Sequence, residues 1–553
     1  MTNSTMRTED GERRLQQARR FVRTAVVVDD RICMEEQDLP KPRPVEPDRP
    51  RFSEQNMDIT EGTVDHRLNA RPIMDGFASL GIICSTLAPE DRYLNVIRRA
   101  DIIVLDWRLG SGKEIESTAL PLIRRILSGD ADRHALRLIG IYTADPELTA
   151  ICSDICDELE RLNLSPIPCK HSTTINYRHG RIVIYAKNGA RLQPGLTDRK
   201  VSEECLSERL LEDFSVTVDG LLPGIALAAL TAVREGEHRI LDQFAARLDP
   251  AYLAHMCCLP NPADAERQFG VHLADELHGL VEAAISAESP AGVDKAKHWI
   301  RKHPKKTFPV SRADGRNGDR NPSMLCQVEL SAQGALDLID RGFDEFLNTD
   351  GARAQDRTGE RGQRKKLTRT DFQSLSQAFS AGGEQGLDQE LAWSMNFRTV
   401  YNPHISLQCL WLGTVVFRED DDKHLLCVRP RCDCVRLTES TVFPFLELMD
   451  TDKGKQLVVR AGENFRRLGV KLDPSGWMQA KFQPSEHSGA VIAHPSASPS
   501  SSSPYFCDVK GRKYVWRGEL KPEYFHRIAQ MLARQLDRVA IDDSEWLRRI
   551  ERL

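Results

Sequence analysis

Several short stretches of the chain are apolar without interruption and run into a residue able to do chemistry. Ile102–Leu105 (IIVL) runs into Asp106, Ala25–Val28 (AVVV) into Asp29 and Asp30, Leu136–Tyr142 (LRLIGIY) into Thr143, and Arg181–Ala186 (RIVIYA) into Lys187. A continuous apolar run without alternation predicts a strand buried on both faces, as in a parallel sheet. Gly81–Leu87 (GIICSTL) reads as one more strand of this kind. Between them lie segments with helical spacing, at residues 71–80, 89–100, 114–129 and 146–162. Asp145 is placed to cap the last of these, with Pro146 at its first turn. A short charged helix at 9–23 leads into the first strand. Strand and helix alternating about five times predict a doubly wound five-stranded parallel sheet.

After Gly189 the pattern changes. Residues 202–216, 221–248, 251–258 and 264–288 have helical spacing, and from about Asn396 the pattern turns to β. Strands are expected at Ser406–Phe417, His424–Val428, Cys434–Leu437, Gln456–Val459 and Tyr514–Trp516, with a helix or helix pair over Leu520–Leu553. The fold class expected is therefore α/β at the N-terminus, followed by a helical middle region and an α+β C-terminal domain. The boundaries expected are an N-terminal helix at 1–21, the sheet domain at 22–200 with a Pro-rich, charged insertion at 31–71, and a helical middle domain at 201–347. A flexible basic linker at 348–370 and the C-terminal domain at 371–553 complete the layout.

Composition narrows the function classes. The 553 residues are 40% hydrophobic and 28% charged, with a net charge of −5, which gives no whole-chain case for nucleic acid or an acidic membrane surface. No run of about 18 apolar residues appears, so no membrane span is expected. The first twenty residues lack the apolar core of a secretory signal, and a cytoplasmic location is expected. The 14 cysteines are then read as free thiols. His424, Cys427, Cys432 and Cys434 are close in sequence, but they lack the paired knuckles of a structural zinc site and read as core residues. The Arg-Lys run at 361–369 reads as a solvated linker. No phosphate-binding G-x-x-x-x-G-K loop, nucleophile elbow or zinc-protease helix occurs.

The acids at the strand ends do suggest chemistry. Ligands of open α/β sheets bind outside the carboxyl ends of the strands. Asp29, Asp30 and Asp106 would converge there on a divalent cation, and carboxylate and water oxygens suit Mg²⁺. Asp106 could then attack a phosphoryl group as a nucleophile, while Thr143 donates a hydrogen bond to a phosphoryl oxygen and Lys187 pairs with another as a point charge.

Those five positions, in that order, resemble the receiver domain of bacterial two-component response regulators, the CheY-like family. The family has an acidic pair after strand one, a phosphoacceptor aspartate after strand three, Ser or Thr after strand four and Lys after strand five. Leu109 occupies the usual apolar position after the phosphoacceptor, and Tyr185 lies two residues before the lysine, where the family's switch aromatic commonly sits, whose burial is coupled there to the hydroxyl after strand four. The chain departs from the family at Asn188 and Gly110, where proline is usual, and in its long first loop. The resemblance implies Mg²⁺-dependent phosphorylation of Asp106 by a histidine kinase or phosphotransfer protein, with Thr143 and Lys187 assisting, Asp29, Asp30 and Asp106 holding the metal, and a downstream effector protein as the reader. No conventional turnover is expected beyond self-phosphorylation and dephosphorylation. The layout, with CVRPRCDCVRL and SEWLRR near its end, also resembles atypical receiver proteins encoded beside large sensor kinases, some in anti-phage systems of the Detocs type. That likeness implies a phosphate sink or relay. The alternative from a different class is a pseudo-receiver scaffold that binds partner proteins without phosphorylation, and it need not bind Mg²⁺.

Overall fold

A computed structural model describes residues 4–30, 32–33, 68–109, 118–133, 135–165, 167–168, 173–177, 180–303, 305, 307–311, 327–348, 353–354, 365–366, 375–380, 382, 384–399, 408–451, 457–462, 464–495 and 503–536. Most of the 31–71 insertion, most of the 348–370 linker, the serine run of 496–502 and everything after 536 therefore lie outside the described residues. The chain divides into two compact units, Met1–Arg301 and Lys302–Leu553.

The first unit is built on the expected parallel sheet. Its strands are β1 (Thr24–Val28), β2 (Ile83–Leu87), β3 (Ile102–Leu105), β4 (Arg137–Thr143), β5 (Ile167–Pro168), β6 (Thr174–Tyr177) and β7 (Gly180–Ala186), in the order β2-β1-β3-β4-β7-β6-β5. The first five in that order are mutually parallel, and they are the five runs predicted. The sheet is larger than expected. β6 and β5 add to it antiparallel, beyond β7.

Every residue of β3 and β4 is buried, as an uninterrupted apolar run requires. Alternation along β3 splits the core into two. Ile103 and Leu105 pack with Ile123, Ile126, Ile151 and Ile155, which come from α4 (Leu120–Arg133) and α5 (Leu148–Arg161). Ile102 and Val104 pack with Phe21, Phe77 and Phe214. These three come from α1 (Ser4–Phe21), α2 (Ala70–Ser79) and α6 (Glu203–Thr217). Both faces are thus covered, and the sheet is doubly wound.

Two glycines permit α6 to lie close to its neighbours. A Cβ at Gly76 on α2 would stand 2.4 Å from Ser207 Oγ, and one at Gly140 on β4 would stand 2.7 Å from Leu210 Cδ2.

Two helix expectations need correction. Residues 89–100 form only a 3₁₀ turn (Asp91–Tyr93) and one α turn, α3 (Leu94–Ile97). Within that turn only Ile97 is buried, too little apolar surface to hold a longer helix. Asp145 does not cap α5 directly. Its Oδ1 accepts from Glu147 N at 3.0 Å, and the helix begins one residue later, with Glu147 at its N-cap.

Helices α7 (Leu221–Gln243), α8 (Asp249–Cys258) and α9 (Asp264–Lys302) follow within the first unit. Arg234 on α7 donates to Phe21 O at 2.8 Å and reaches Asp101 Oδ1 at 3.4 Å. Asp101 immediately precedes β3, so α7 is tied to the end of the sheet opposite Asp106.

The second unit is built around an eight-stranded antiparallel sheet, preceded by a separate two-stranded pair, Thr307–Ser311 with Gln327–Ser331. The strands of the sheet are β8 (Thr414–Arg418), β9 (Lys423–Cys427), β10 (Thr441–Asp450), β11 (Leu457–Ala461), β12 (Asn464–Val470), β13 (Trp477–Phe482), β14 (Tyr505–Cys507) and β15 (Lys513–Glu519). β10 pairs with β9, β12 and β13, and a Phe482–Asp508 bridge turns the sheet toward its other edge. Phe443, Phe445, Phe482, Phe506 and Tyr514 fill one face. The other packs against Trp393 and Ile528, from α10 (Leu387–Asn396) and α11 (Pro522–Leu536). Cys434–Leu437 is not the strand expected. A 3₁₀ turn, Arg431–Cys434, ends at the first residue of that stretch, and a bend follows. Among the described residues no single helix is long and apolar enough to cross a membrane.

Candidate functional site

The site forms at the C-terminal ends of four adjacent parallel strands. Three of its residues come directly after their strands, and each backbone N–H is still held by the neighbouring strand. Asp29 N donates to Leu87 O at 3.3 Å, Asp106 N to Val28 O at 3.1 Å, and Lys187 N to Thr143 O at 2.8 Å. The sheet ladder therefore runs one step past the apolar runs and fixes where the functional side chains start.

The side chains converge as expected. Carboxylate oxygens of Asp29, Asp30 and Asp106 all lie within 4.8 Å of one another. Lys187 Nζ is 3.3 Å from Asp29 Oδ2 and 3.5 Å from Asp106 Oδ2. Asp29, Asp106, Thr143 and Lys187 are all buried, and Asp30 is half-buried. Thr143 Oγ1 accepts from Asp145 N at 3.1 Å, which leaves its own O–H to donate. Burial pushes the Asp106 carboxyl up to about 6, and Asp29 pushes the same way, while Lys187 pulls it down. Three carboxylates facing one ammonium leave an excess of negative charge. Hard oxygen donors at this spacing fit a magnesium ion that keeps several waters.

Contacts around the cluster were not legible in the sequence. Arg108 donates from Nε at 3.1 Å and Nη2 at 2.7 Å to Asp145 Oδ2. These residues stand two places past Asp106 and Thr143, so their ion pair ties together the two loops beside the cluster. The available signal was that opposite charges occur at matching offsets on neighbouring strands. Tyr142, whose ring lies 5.9 Å from Lys187 Nζ, donates from its hydroxyl to Val201 O at 2.9 Å, just before α6. At the start of α6, Glu203 accepts from Asn69 N at 3.3 Å, and burial raises its carboxyl above the usual range.

Tyr185 lies on the α6 side of the sheet. Its hydroxyl donates to Asp213 Oδ2 at 2.5 Å and accepts from Arg209 Nε at 3.2 Å. Its polar partners are thus on α6, whereas the Thr143 hydroxyl binds the Asp145 backbone.

The His-Cys stretch of the second unit separates across its sheet. Cys427 packs on the face of Phe443 and Phe445, while the next residue inward, Leu426, faces the other way. By strand parity His424 shares the side of Leu426, opposite Cys427. Cys432 is exposed and Cys434 buried. Among the described residues the acid cluster is the group whose donors stand close enough together to hold a metal ion.

No curated protein and no solved structure matches the chain. Residues 21–192 do match a family, described as a response receiver domain. That stretch runs from the end of α1 to just past Lys187 and contains all five site residues. Sheet order, strand-end chemistry and family match agree: residues 21–192 of this chain are a response receiver domain.

Proposed function

We propose that Asp106 accepts a phosphoryl group from a histidine kinase or phosphotransfer protein in the cytoplasm. The observation that carries this reading is the convergence of Asp29, Asp30, Asp106 and Lys187 at the strand ends. Asp29, Asp30 and Asp106 would hold Mg²⁺, which when bound would offset negative charge on the incoming group. An Asp106 carboxylate oxygen forms the new bond to phosphorus as the bond from phosphorus to the donor's imidazole nitrogen breaks, and the imidazole leaves with that electron pair. Lys187, no longer shared between two carboxylates, pairs with a phosphoryl oxygen, and Thr143 donates to another.

In this reading α6 receives the signal, because Tyr142 and Tyr185 bind Val201 and Asp213 at the start and in the body of that segment. The chain then acts as a sink or relay for phosphate, and its layout supports a place beside a large sensor kinase, as in anti-phage two-component systems.

The test is incubation of wild type and Asp106→Asn with acetyl phosphate and Mg²⁺, resolved on a phosphate-affinity gel. A metal-dependent shift in wild type alone is expected. Equal labelling of Asp106→Asn would refute the assignment of the phosphoacceptor. Absence of labelling, together with no Mg²⁺ binding by titration, would favour the scaffold reading.

A further inference from the structure

The sheet of the second unit has a corner that the receiver site does not use. Phe417 on β8 stands opposite His424 on β9, which stands opposite Leu448 on β10. β15 pairs with the other edge of β8, and there the register shifts. Val416 pairs with Trp516 and Val415 with Gly518, so Arg517 is the extra residue of a bulge. A bulge re-aims its side chain, and this one lays the Arg517 guanidinium 5.1 Å from the centre of the Phe417 ring. That ring is in turn 4.9 Å from the His424 ring. A cation, an aromatic ring and an imidazole thus lie side by side on three neighbouring strands.

Two of these groups hold buried nitrogens without partners. Arg517 is half-buried, and its Nε is shut off from solvent with no acceptor among the described residues. His424 is 3% exposed, and its Nε2 has no partner there either. Buried polar atoms are ordinarily bonded, and leaving one unbonded is costly. Arg466 on β12 adds a second guanidinium: its charge and that of Arg517 both bear on the His424 imidazole, and Arg466 also acts on Arg517. The neighbouring acids are either taken or exposed. Asp450 accepts from Arg466 Nε at 3.3 Å and from its Nη2, Asp421 pairs with Arg418, and Glu419 and Asp422 are exposed. The corner therefore lacks an anion at Arg517 and His424. The donors say which anion fits. A guanidinium offers Nε–H and Nη–H to two oxygens in a fixed fork, and His424 in its Nε2–H form offers a third donor. Three donors suit the terminal oxygens of a phosphate group, whereas a carboxylate has two oxygens. The two arginines repel each other, and a dianion offsets both.

We propose that this corner is a binding site for a phosphate group, held by the Arg517 fork and His424 Nε2, with Arg466 supplying charge beside it. The probes are inorganic phosphate and O-phosphoserine, titrated calorimetrically into the full chain in metal-free buffer, with acetate as the carboxylate comparison. Wild type is expected to bind phosphate, and Arg517→Gln to weaken binding ~10-fold or more. Arg517→Lys keeps the charge without the fork and is expected to weaken it as well. Asp450→Asn frees Arg466 and is expected to tighten binding, a gain that a damaged fold does not produce. The imidazole resonance of His424, assigned by its loss in His424→Gln, is expected to move with phosphate in wild type and to stay still in Arg517→Gln. That resonance reads this corner and not Lys187 of the receiver site. The tighter of the two phosphate probes identifies the source as free phosphate or a phosphate ester. No phosphate binding, equal binding by wild type and Arg517→Gln, or a His424 resonance indifferent to phosphate would overturn the proposal. Acetate binding as tight as that of phosphate would overturn the choice of anion.

Discussion

Replacing Lys187 by alanine removes the cation that stands 3.3 Å from Asp29 Oδ2 and 3.5 Å from Asp106 Oδ2. At an effective dielectric of about 20, each contact supplies roughly 5 kcal/mol of attraction before desolvation is counted. Burial of the ammonium offsets much of this, and removing one partner of a buried pair typically costs about 3–5 kcal/mol. That is the loss expected at pH 8 in metal-free buffer. The pH dependence has a definite sign. Burial already holds Asp106 near 6 against the pull of Lys187, so its folded pKa rises further in the variant. A carboxyl whose folded pKa lies above its unfolded value near 3.9 binds more protons in the fold than in the unfolded chain. Its contribution is fully present below the unfolded value and is lost as pH rises through the folded one. The deficit relative to wild type should therefore narrow between pH 8 and pH 6. A divalent cation at 100 times its dissociation constant adds about 2.7 kcal/mol to a fold that binds it. Wild type gains as well, so Mg²⁺ should narrow the gap at pH 8 by as much as it binds the more negative variant cluster more tightly. Hydrogen exchange of the β1, β3 and β7 peptides, measured in urea, reads the local stability. A deficit equal at both pH values and untouched by Mg²⁺ would refute the view that charge balance governs this cluster.

Three further perturbations address the surroundings. Tyr142→Phe leaves the buried Val201 carbonyl without the hydroxyl that binds it at 2.9 Å, at an expected cost of about 1–3 kcal/mol, visible as faster exchange at the start of α6. Gly76→Ala drives a methyl to within 2.4 Å of Ser207 Oγ and should cost about 1–3 kcal/mol by urea melting; combining it with Ser207→Ala should recover part of that loss, and strict additivity would contradict the contact. Burial lowers the His424 imidazole to about 4. The second unit should accordingly lose up to about 3 kcal/mol as pH falls from the unfolded histidine value of about 6.5 toward 4, whereas His424→Gln should flatten that slope.

The site was legible in the sequence for a physical reason. A strand buried on both faces must be apolar throughout, so the first polar residue after it marks the strand end, and parallel strands bring those ends together. Asp29, Asp106 and Lys187 could therefore be placed without any contact being visible. The same logic fails where burial is partial. β6 has four residues and β5 two, one of them Pro168, and neither shows a run long enough to notice. β10 carries Pro444, a residue that argues against a central strand, yet its carbonyl accepts from Val428 N at 3.1 Å. The Arg108–Asp145 pair depends on two loops meeting, which no single stretch of sequence records.

The two tyrosines give the site its physical route to the rest of the first unit. Tyr142 immediately precedes Thr143, and Tyr185 is two residues before Lys187, on the same side of β7. Both rings belong to the core shared with Leu206, Leu210 and Phe214 of α6, and both hydroxyls are bound to that segment. Burial pushes both hydroxyls well above the ordinary tyrosine range, so they remain protonated donors at any working pH. Under the proposed phosphorylation of Asp106, a displacement of Thr143 or Lys187 would pull on a strand whose adjoining tyrosine is already tied to α6 or the residue just before it. The far edge of β7, by contrast, is occupied by β6. With that edge covered, the segment from Val201 into α6 is what both tyrosine hydroxyls bind, and Gly220, at φ +146°, is the joint at which the chain turns from α6 into α7.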